Sequence, residues 1–371
     1  MSLDLSTRPI RVLIVDDSAF MRTALSRMIA SEFGLEVAGT ASCGSEALER
    51  IAALDPDVVT LDIEMPGLDG LQTLRRIMNQ FPRPVIMVSA VTEKDAQNTF
   101  NALAAGAFDY VPKQLSAASL DILHIRSDLV GKIRAAAHSR KSPDLAAAAA
   151  AAAGAVSTRK PPQSSPPETR SAGSLAVPAI VALGTSTGGP KALQEILPLF
   201  PRDLSVPILI VQHMPAGFTA PFAQRLNSLC SIQVRQATHR EPILPGVAYI
   251  APAGTHLSVK RLSDSRAILC LDPQPDNALH IPSVNVLMNS VAESFKSLAL
   301  GVIMTGMGSD GAEGMNAIHR QGGLTIGQDE ATCTVYGMPR VCAEMGILSR
   351  VVPLSQIPAQ ILLATRYRKR A

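Results

Sequence analysis

No apolar run in this 371-residue chain approaches the roughly 18 to 20 residues that a membrane-spanning helix requires. Membrane insertion is therefore not expected. The opening MSLDLSTRPI, with an early acid and a strand directly behind it, does not read as a secretory leader, so a cytoplasmic location is expected. No C-x-x-C pair occurs, and the five cysteines (Cys43, Cys230, Cys270, Cys333, Cys342) are odd in number and scattered. That pattern argues against a disulfide framework and a zinc site. Charge of one sign is scarce: the net charge is +3, and the one dense basic cluster, RYRKR at 366–370, reads as a solvated tail. Nucleic-acid binding is not supported. Internal repeats of roughly 20 to 50 residues are also missing, which excludes a solenoid or propeller.

The chain instead has a 47% hydrophobic, 18% charged composition, ordinary for a globular protein, in a length that fits two domains of roughly 100 to 200 residues each. Apolar periodicity vanishes between Ser139 and Val177, where an alanine run at 146–153 gives way to STRKPPQSSPPETRSAGS. Such a segment cannot bury a core, so 139–177 is expected to be a flexible linker between residues 1–138 and 178–371. In the first half the apolar runs RVLIVDD, EVAGTAS, DVVTLDI, PVIMVSA and FDYVPK alternate with amphipathic helical patterns. Five βα units with near-continuous apolar strands imply a parallel sheet covered on both faces. The second half repeats the style with AIVALGT, PILIVQH, IQVRQAT, GVAYIAP, ALGVIMTG and LTIGQ, with a helix over 284–295 between two of them. The expected fold class is α/β throughout, flavodoxin-like in the first half and doubly wound in the second.

Asp16 and Asp17 close the first strand of the first half and Asp62 closes the third. In a sheet of order 2-1-3-4-5 these strands are neighbours, and ligands bind outside their carboxyl ends. Converging carboxylates repel, and a hard divalent cation such as Mg²⁺ relieves the repulsion while leaving one carboxylate free to attack phosphorus. Asp62 is the best nucleophile candidate, although any one of these acids taken alone would equally serve as a solvated strand end or helix cap. With VDDSAFMR, LDIEMPGLDG, VSA and VPK in this order, the first 125 or so residues resemble the receiver domain of two-component response regulators. The resemblance implies that Asp62 accepts a phosphoryl group, that Asp16, Asp17, Asp62 and the Glu64 carbonyl hold Mg²⁺, and that Ser89 and Lys113 sense the phosphoryl oxygens. It also implies a histidine kinase as phosphodonor.

In the second half, the first strand runs into GTSTGGP, placing Ser186 in a small-residue turn before a helix that can begin near Pro190. A serine hydroxyl needs a base, and the base an orienting acid. His213 ends the next strand and Asp310 lies in the turn GMGSDG, so all three sit at strand carboxyl ends along one rim. Amides of the 184–189 and 306–311 loops are candidate oxyanion donors. His256 and His280, in polar loops, compete with His213 for the base role.

Together, GTSTGGP, VQHMPAGFTAPFAQRL, LPGVAYIAPAGTH, VIMTGMGSDGAEGM and YGMPR resemble the catalytic domain of the chemotaxis protein-glutamate methylesterases over residues 178 to 360. The resemblance implies hydrolysis of glutamate methyl esters on chemotaxis receptors with release of methanol, often with deamidation of receptor glutamines, and no cofactor for the ester reaction. Ser186 would attack, His213 shuttle the proton and Asp310 orient the ring, with Thr187 and Met307 bordering the site. Ile281 and Asn285 depart from the arginine and aspartate usual in the family, which bears on receptor choice or on contact with the receiver. The family resemblance further implies that the resting receiver covers the Ser186 rim until Asp62 is phosphorylated. Two other readings are a binding regulator with a degenerate esterase site, and a transcription factor. Retention of all three triad residues argues against the first, and the lack of a basic recognition helix against the second.

Overall fold

The computed structural model describes residues 8–90, 92–113, 119–140, 176–263, 266–274 and 278–367. In the first half, β1 (Ile10–Val15), α1 (Ala19–Ala30), β2 (Leu35–Ala41), α2 (Gly44–Leu54) and β3 (Val58–Asp62) are followed by α3 (Gly70–Gln80), β4 (Val85–Ser89), α4 (Glu93–Ala104), β5 (Asp109–Pro112) and α5 (Ser119–Arg140). The five strands are parallel in the expected order β2-β1-β3-β4-β5. β3 and β4 are buried at every position because helices cover both faces of the sheet, and their unbroken apolar runs leave no solvent face. The expected linker, 139–177, lies mostly outside the described residues, and α5 continues to Arg140.

The second half is built from β6 (Ile180–Thr185), α6 (Gly189–Ile196), β7 (Ile208–Gln212), α7 (Thr219–Leu229), β8 (Gln233–Gln236), β9 (Val247–Ile250) and the pair β10 (His256–Ser263) and β11 (Arg266–Asp272). It continues through α8 (Val284–Phe295), β12 (Ala299–Ile303), α9 (Ala312–Arg320), β13 (Leu324–Gln328), α10 (Met338–Glu344), β14 (Arg350–Val352) and α11 (Ile357–Ala364). Seven of these strands form a parallel sheet of order β14-β13-β12-β6-β7-β9-β8. The order reverses at β6: the chain moves outward through β7 in one direction and returns to β12 on the other side, and ligands in such sheets bind at this switch point. β10 and β11 form a separate antiparallel hairpin that runs from His256↔Asp272 to Ser263↔Arg266. It packs against α8, its inward face supplied by Leu257, Val259 and Leu269.

The two halves share an apolar contact. Phe100 on α4 lies 5.0 Å, ring centre to ring centre, from Phe222 on α7 and meets Phe218 edge-on at 6.3 Å. Tyr110 on β5 stacks on Phe218 at 4.9 Å. All four rings are almost fully buried, so the contact has the character of a core rather than a wet surface.

Candidate active site and acidic pocket

Parallel register builds the acidic pocket. Val15 pairs with Leu61 and Asp62 with Val88, so Asp16 and Asp62 emerge side by side from neighbouring strands. The carboxylates of Asp16, Asp17 and Asp62 offer oxygens all within 4.8 Å of one another. Asp16 and Asp62 are buried while Asp17 is exposed. Lys113 follows β5 and holds its Nζ 3.0 Å from Asp16 and 2.7 Å from Asp62. Burial, with the charge of Asp16 behind it, raises Asp62 to about 6 even though Lys113 and the Glu64 amide pull it down. The two Ser89 neighbours are Ala90, whose carbonyl accepts from Oγ at 3.1 Å, and Thr99, whose hydroxyl donates at 2.9 Å. The set of hard oxygen donors around a partly neutralised aspartate suits Mg²⁺, and the structure groups Asp16, Asp17, Asp62 and Lys113, while the Ser89 hydroxyl bonds to Ala90 and Thr99 and not to the carboxylates.

The triad candidates assemble at the switch point. Thr185 pairs with Gln212 across β6 and β7, and the His213 amide donates to the Thr185 carbonyl at 3.1 Å, which sets Ser186 and His213 side by side. Tight packing explains the glycines of the turn: a Cβ on Gly189 would sit 2.0 Å from Gln212 Oε1, and Gly188 has a φ of +77°. The Gln212 amide group in turn donates to the carbonyls of Ser186 and His213 at 3.0 and 2.8 Å. The Gly306 loop closes the other side, where an added Cβ would come 2.9 Å from Ser186 Cβ.

His213 Nε2 is 2.8 Å from Asp310 Oδ2. Its Nδ1 is buried without a hydrogen-bond partner, so this nitrogen, not Nε2, is the one left for the serine. Burial opposes the charge on Asp310, yet the hydrogen bond and charge of His213 together with the Asn285 and Val284 amides outweigh it and bring the acid to about 2. Asp310 stays ionised and His213 stays oriented, while the Ser186 hydroxyl makes no bond to Nδ1 in this structure.

Residues 181–361 match the family model for CheB methylesterase, and residues 12–123 that for the response regulator receiver domain. A protein-glutamate methylesterase/protein-glutamine glutaminase of Nitratidesulfovibrio vulgaris is 49% identical, covering 95% of this chain and 98% of that protein. Enzymes of the same name from Oleidesulfovibrio alaskensis and Lawsonia intracellularis are 45% and 44% identical, each covering 99% of its own length and 96% and 95% of this chain. The chain belongs to the protein-glutamate methylesterase/protein-glutamine glutaminase family.

Within this methylesterase several sequence expectations change. Four of the loop amides named as oxyanion donors are committed elsewhere: Ser186 to the Thr305 carbonyl, Gly189 to the Ser186 carbonyl, Gly306 to the Val335 carbonyl and Gly311 to Asn285 Oδ1. Thr187 and Met307 remain candidates in those loops. His256 does not compete for the base role. It is 1% exposed, and its Nδ1 accepts from the Ser283 amide at 3.0 Å. His280 is not remote either, because its ring stacks on His213 at 4.0 Å. Asn285 lies against the triad acid itself. Its amide donates to Asp310 at 3.0 Å, and its Oδ1 accepts from the Gly311 and Gly314 amides at 2.9 and 3.0 Å. An amide oxygen fills that capping position without adding a second negative charge beside Asp310. Ser283 was missed altogether, although a serine before the apolar pattern of 284–295 is a helix-cap signal.

Thr187 and Met307 both touch the receiver. Thr187 lies beside the buried Asp109 carboxylate of β5, and a Cβ on Gly131 of α5 would come 2.6 Å from Met307 Cε. Burial foremost raises Asp109 to about 6, against the pull of Lys132, the Tyr110 amide and Thr187.

Proposed function

We propose that this enzyme removes methyl groups from glutamate methyl esters of chemotaxis receptors, releasing methanol, and deamidates particular receptor glutamines at the same site, under control of phosphorylation at Asp62. The observation that carries the reading is the His213–Asp310 bond placed, by strand register, beside Ser186 at the switch point of the seven-stranded sheet. Ser186 Oγ attacks the ester carbonyl and passes its proton to His213 Nδ1. Amides of Thr187 and Met307 take the oxyanion, and the imidazolium returns the proton to the leaving methoxide as methanol departs. Water, activated by the same nitrogen, then hydrolyses the acyl-enzyme to the free glutamate. No cofactor enters this sequence, and Asp310 does no more than hold the ring and balance its charge.

In the receiver, Asp62 is the phosphoacceptor, with a histidine kinase as donor. Asp16, Asp17, Asp62 and the Glu64 carbonyl would hold Mg²⁺, which when bound offsets charge around the phosphoryl group. Ser89 and Lys113 read its oxygens. Residues 1–138 act as receiver, 139–177 as linker and 178–371 as catalytic domain, in a cytoplasmic protein that binds no nucleic acid and does not insert in the membrane. The aromatic contact of Phe100 with Phe218 and Phe222, and the Asp109–Thr187 and Gly131–Met307 contacts, support a resting state in which the receiver covers the catalytic rim. The catalytic assignment is tested by methanol release from pre-methylated receptor membranes. Asp310→Asn should lose roughly 10⁴-fold in kcat, and full activity in Ser186→Ala would sink the triad.

A further inference from the structure

The Asp310 carboxylate is held from four directions. His213 Nε2 and the Val284 amide meet Oδ2 at 2.8 and 2.7 Å, while the Asn285 amide and the Ser283 hydroxyl meet Oδ1 at 3.0 and 2.9 Å. Three of these donors are the triad base and main-chain groups. The fourth, Ser283 Oγ, is a side chain that the assigned triad does not use. Its proton has a defined direction, because the oxygen also accepts from the Val286 amide at 3.4 Å as cap of α8, leaving the hydroxyl to donate to Asp310. The main chain beneath it is fixed as well: the Ser283 amide donates to Nδ1 of the buried His256 at the foot of β10. Ser283 itself is 5% exposed, so water does not readily replace its hydroxyl.

We infer that Ser283 is a positioning residue of the esterase, the fourth link of a series that runs from Ser186 through His213 and Asp310 to Ser283, with His256 behind it. This rests on the triad reading given above. A carboxylate held by amides on both oxygens is fixed in place, and the hydroxyl adds two things. It stops the carboxyl plane from rotating about the His213 contact, keeping the ring aligned for transfer through Nδ1. It also draws negative charge toward Oδ1 and away from Oδ2, the oxygen that faces the imidazolium. The titratable groups around this point are His213 with His280 stacked on it, Asp310 itself and, behind Ser283, His256. Loss of the hydroxyl concentrates charge on Asp310, which then holds the protonated ring more firmly. His213 must lose that proton to act as base, so the acid limb of the rate profile moves to higher pH.

The test is steady-state methanol release from pre-methylated receptor membranes, using the full chain with Mg²⁺ and acetyl phosphate, across the neutral pH range. Ser283→Ala is expected to lower kcat roughly tenfold with KM changed by less than about twofold, as loss of one hydrogen bond to a charged group implies, and to shift the acid limb of kcat/KM upward. Ser283→Thr, which keeps the hydroxyl, should recover most of the loss, and Ser186→Ala should show none of the activity. Wild-type kcat and an unmoved acid limb in Ser283→Ala, beside an inactive Ser186→Ala, overturn the inference and leave the triad standing. An active Ser186→Ala overturns the triad reading itself. A kcat loss with an unmoved acid limb means that Ser283 merely supports the loop, and also overturns the inference. Should Ser283→Ala fail to fold, Ser283→Cys, close in size and a weaker donor, carries the comparison and must fall between wild type and Ser186→Ala with the same upward shift.

Discussion

Asp62 carries a cost that its function requires. Its carboxyl is raised from an ordinary 3.8 to about 6, chiefly by burial, so the folded receiver binds this proton more tightly than the unfolded chain does. By linkage, stability from this group is greatest below the unfolded value and declines as pH rises through about 6. Asp62→Asn is therefore expected to melt at a higher temperature than wild type at pH above 6 in metal-free buffer, with the gap closing towards the unfolded value of 3.8. Thermal melts in EDTA check this, and the same variant should take up no phosphoryl group. Among the residues of both sites, those at strand ends were legible in the sequence, since the end of an apolar run fixes which side chains reach the rim. Ser283 was not, and His280 and Asn285 were named without their contacts, because each acts across 25 or more residues of chain on a partner that only the folded loops bring near.

At the scale of elements, the turn from β6 into α6 shows how closely the nucleophile is built in. A Cβ at Gly189 would press on Gln212 Oε1 at 2.0 Å and on Thr185 Oγ1 at 2.4 Å, and Gln212 is the side chain that ties the Ser186 carbonyl to that of His213. Gly189→Ala should destabilise the catalytic half by about 1 to 3 kcal/mol, as overpacking does, and lower kcat more than it raises KM. Chemical denaturation and kinetics on the same preparation measure both. The parallel character of the first sheet followed from apolar runs that leave no polar face, and its order 2-1-3-4-5 from the doubly wound fold those runs imply. The helix expected over 284–295 has those bounds in the structure. The seven-strand order and the β10–β11 hairpin did not follow. A sheet order that places β12 beside β6 depends on contacts between strands more than 110 residues apart, and the half-exposed strands of the hairpin carry a weaker signal than fully buried ones.

At the scale of the molecule, the two halves meet through rings that no periodicity argument within either half could pair. Phe100 is the receiver's contribution to that contact, with both Phe218 and Phe222 against it. If this face holds the resting state, Phe100→Ala raises the methylesterase rate before phosphorylation and shrinks the gain from a phosphodonor, by shifting the balance between closed and open arrangements. An unchanged ratio of stimulated to unstimulated rate would show that the aromatic face does not restrain the enzyme. Thr187 and Met307 stand on both sides of this account, since each borders Ser186 or its neighbouring loop and each also touches β5 or α5.

The most direct test is methanol release from receptor membranes methylated beforehand, with and without acetyl phosphate and Mg²⁺, for wild type, Asp62→Asn and Ser186→Ala. The account predicts release that rises with the phosphodonor in wild type, stays at the resting level in Asp62→Asn and is lost in Ser186→Ala. Release that is equal in wild type and Asp62→Asn under phosphodonor would contradict the switch, and release that survives in Ser186→Ala would contradict the site.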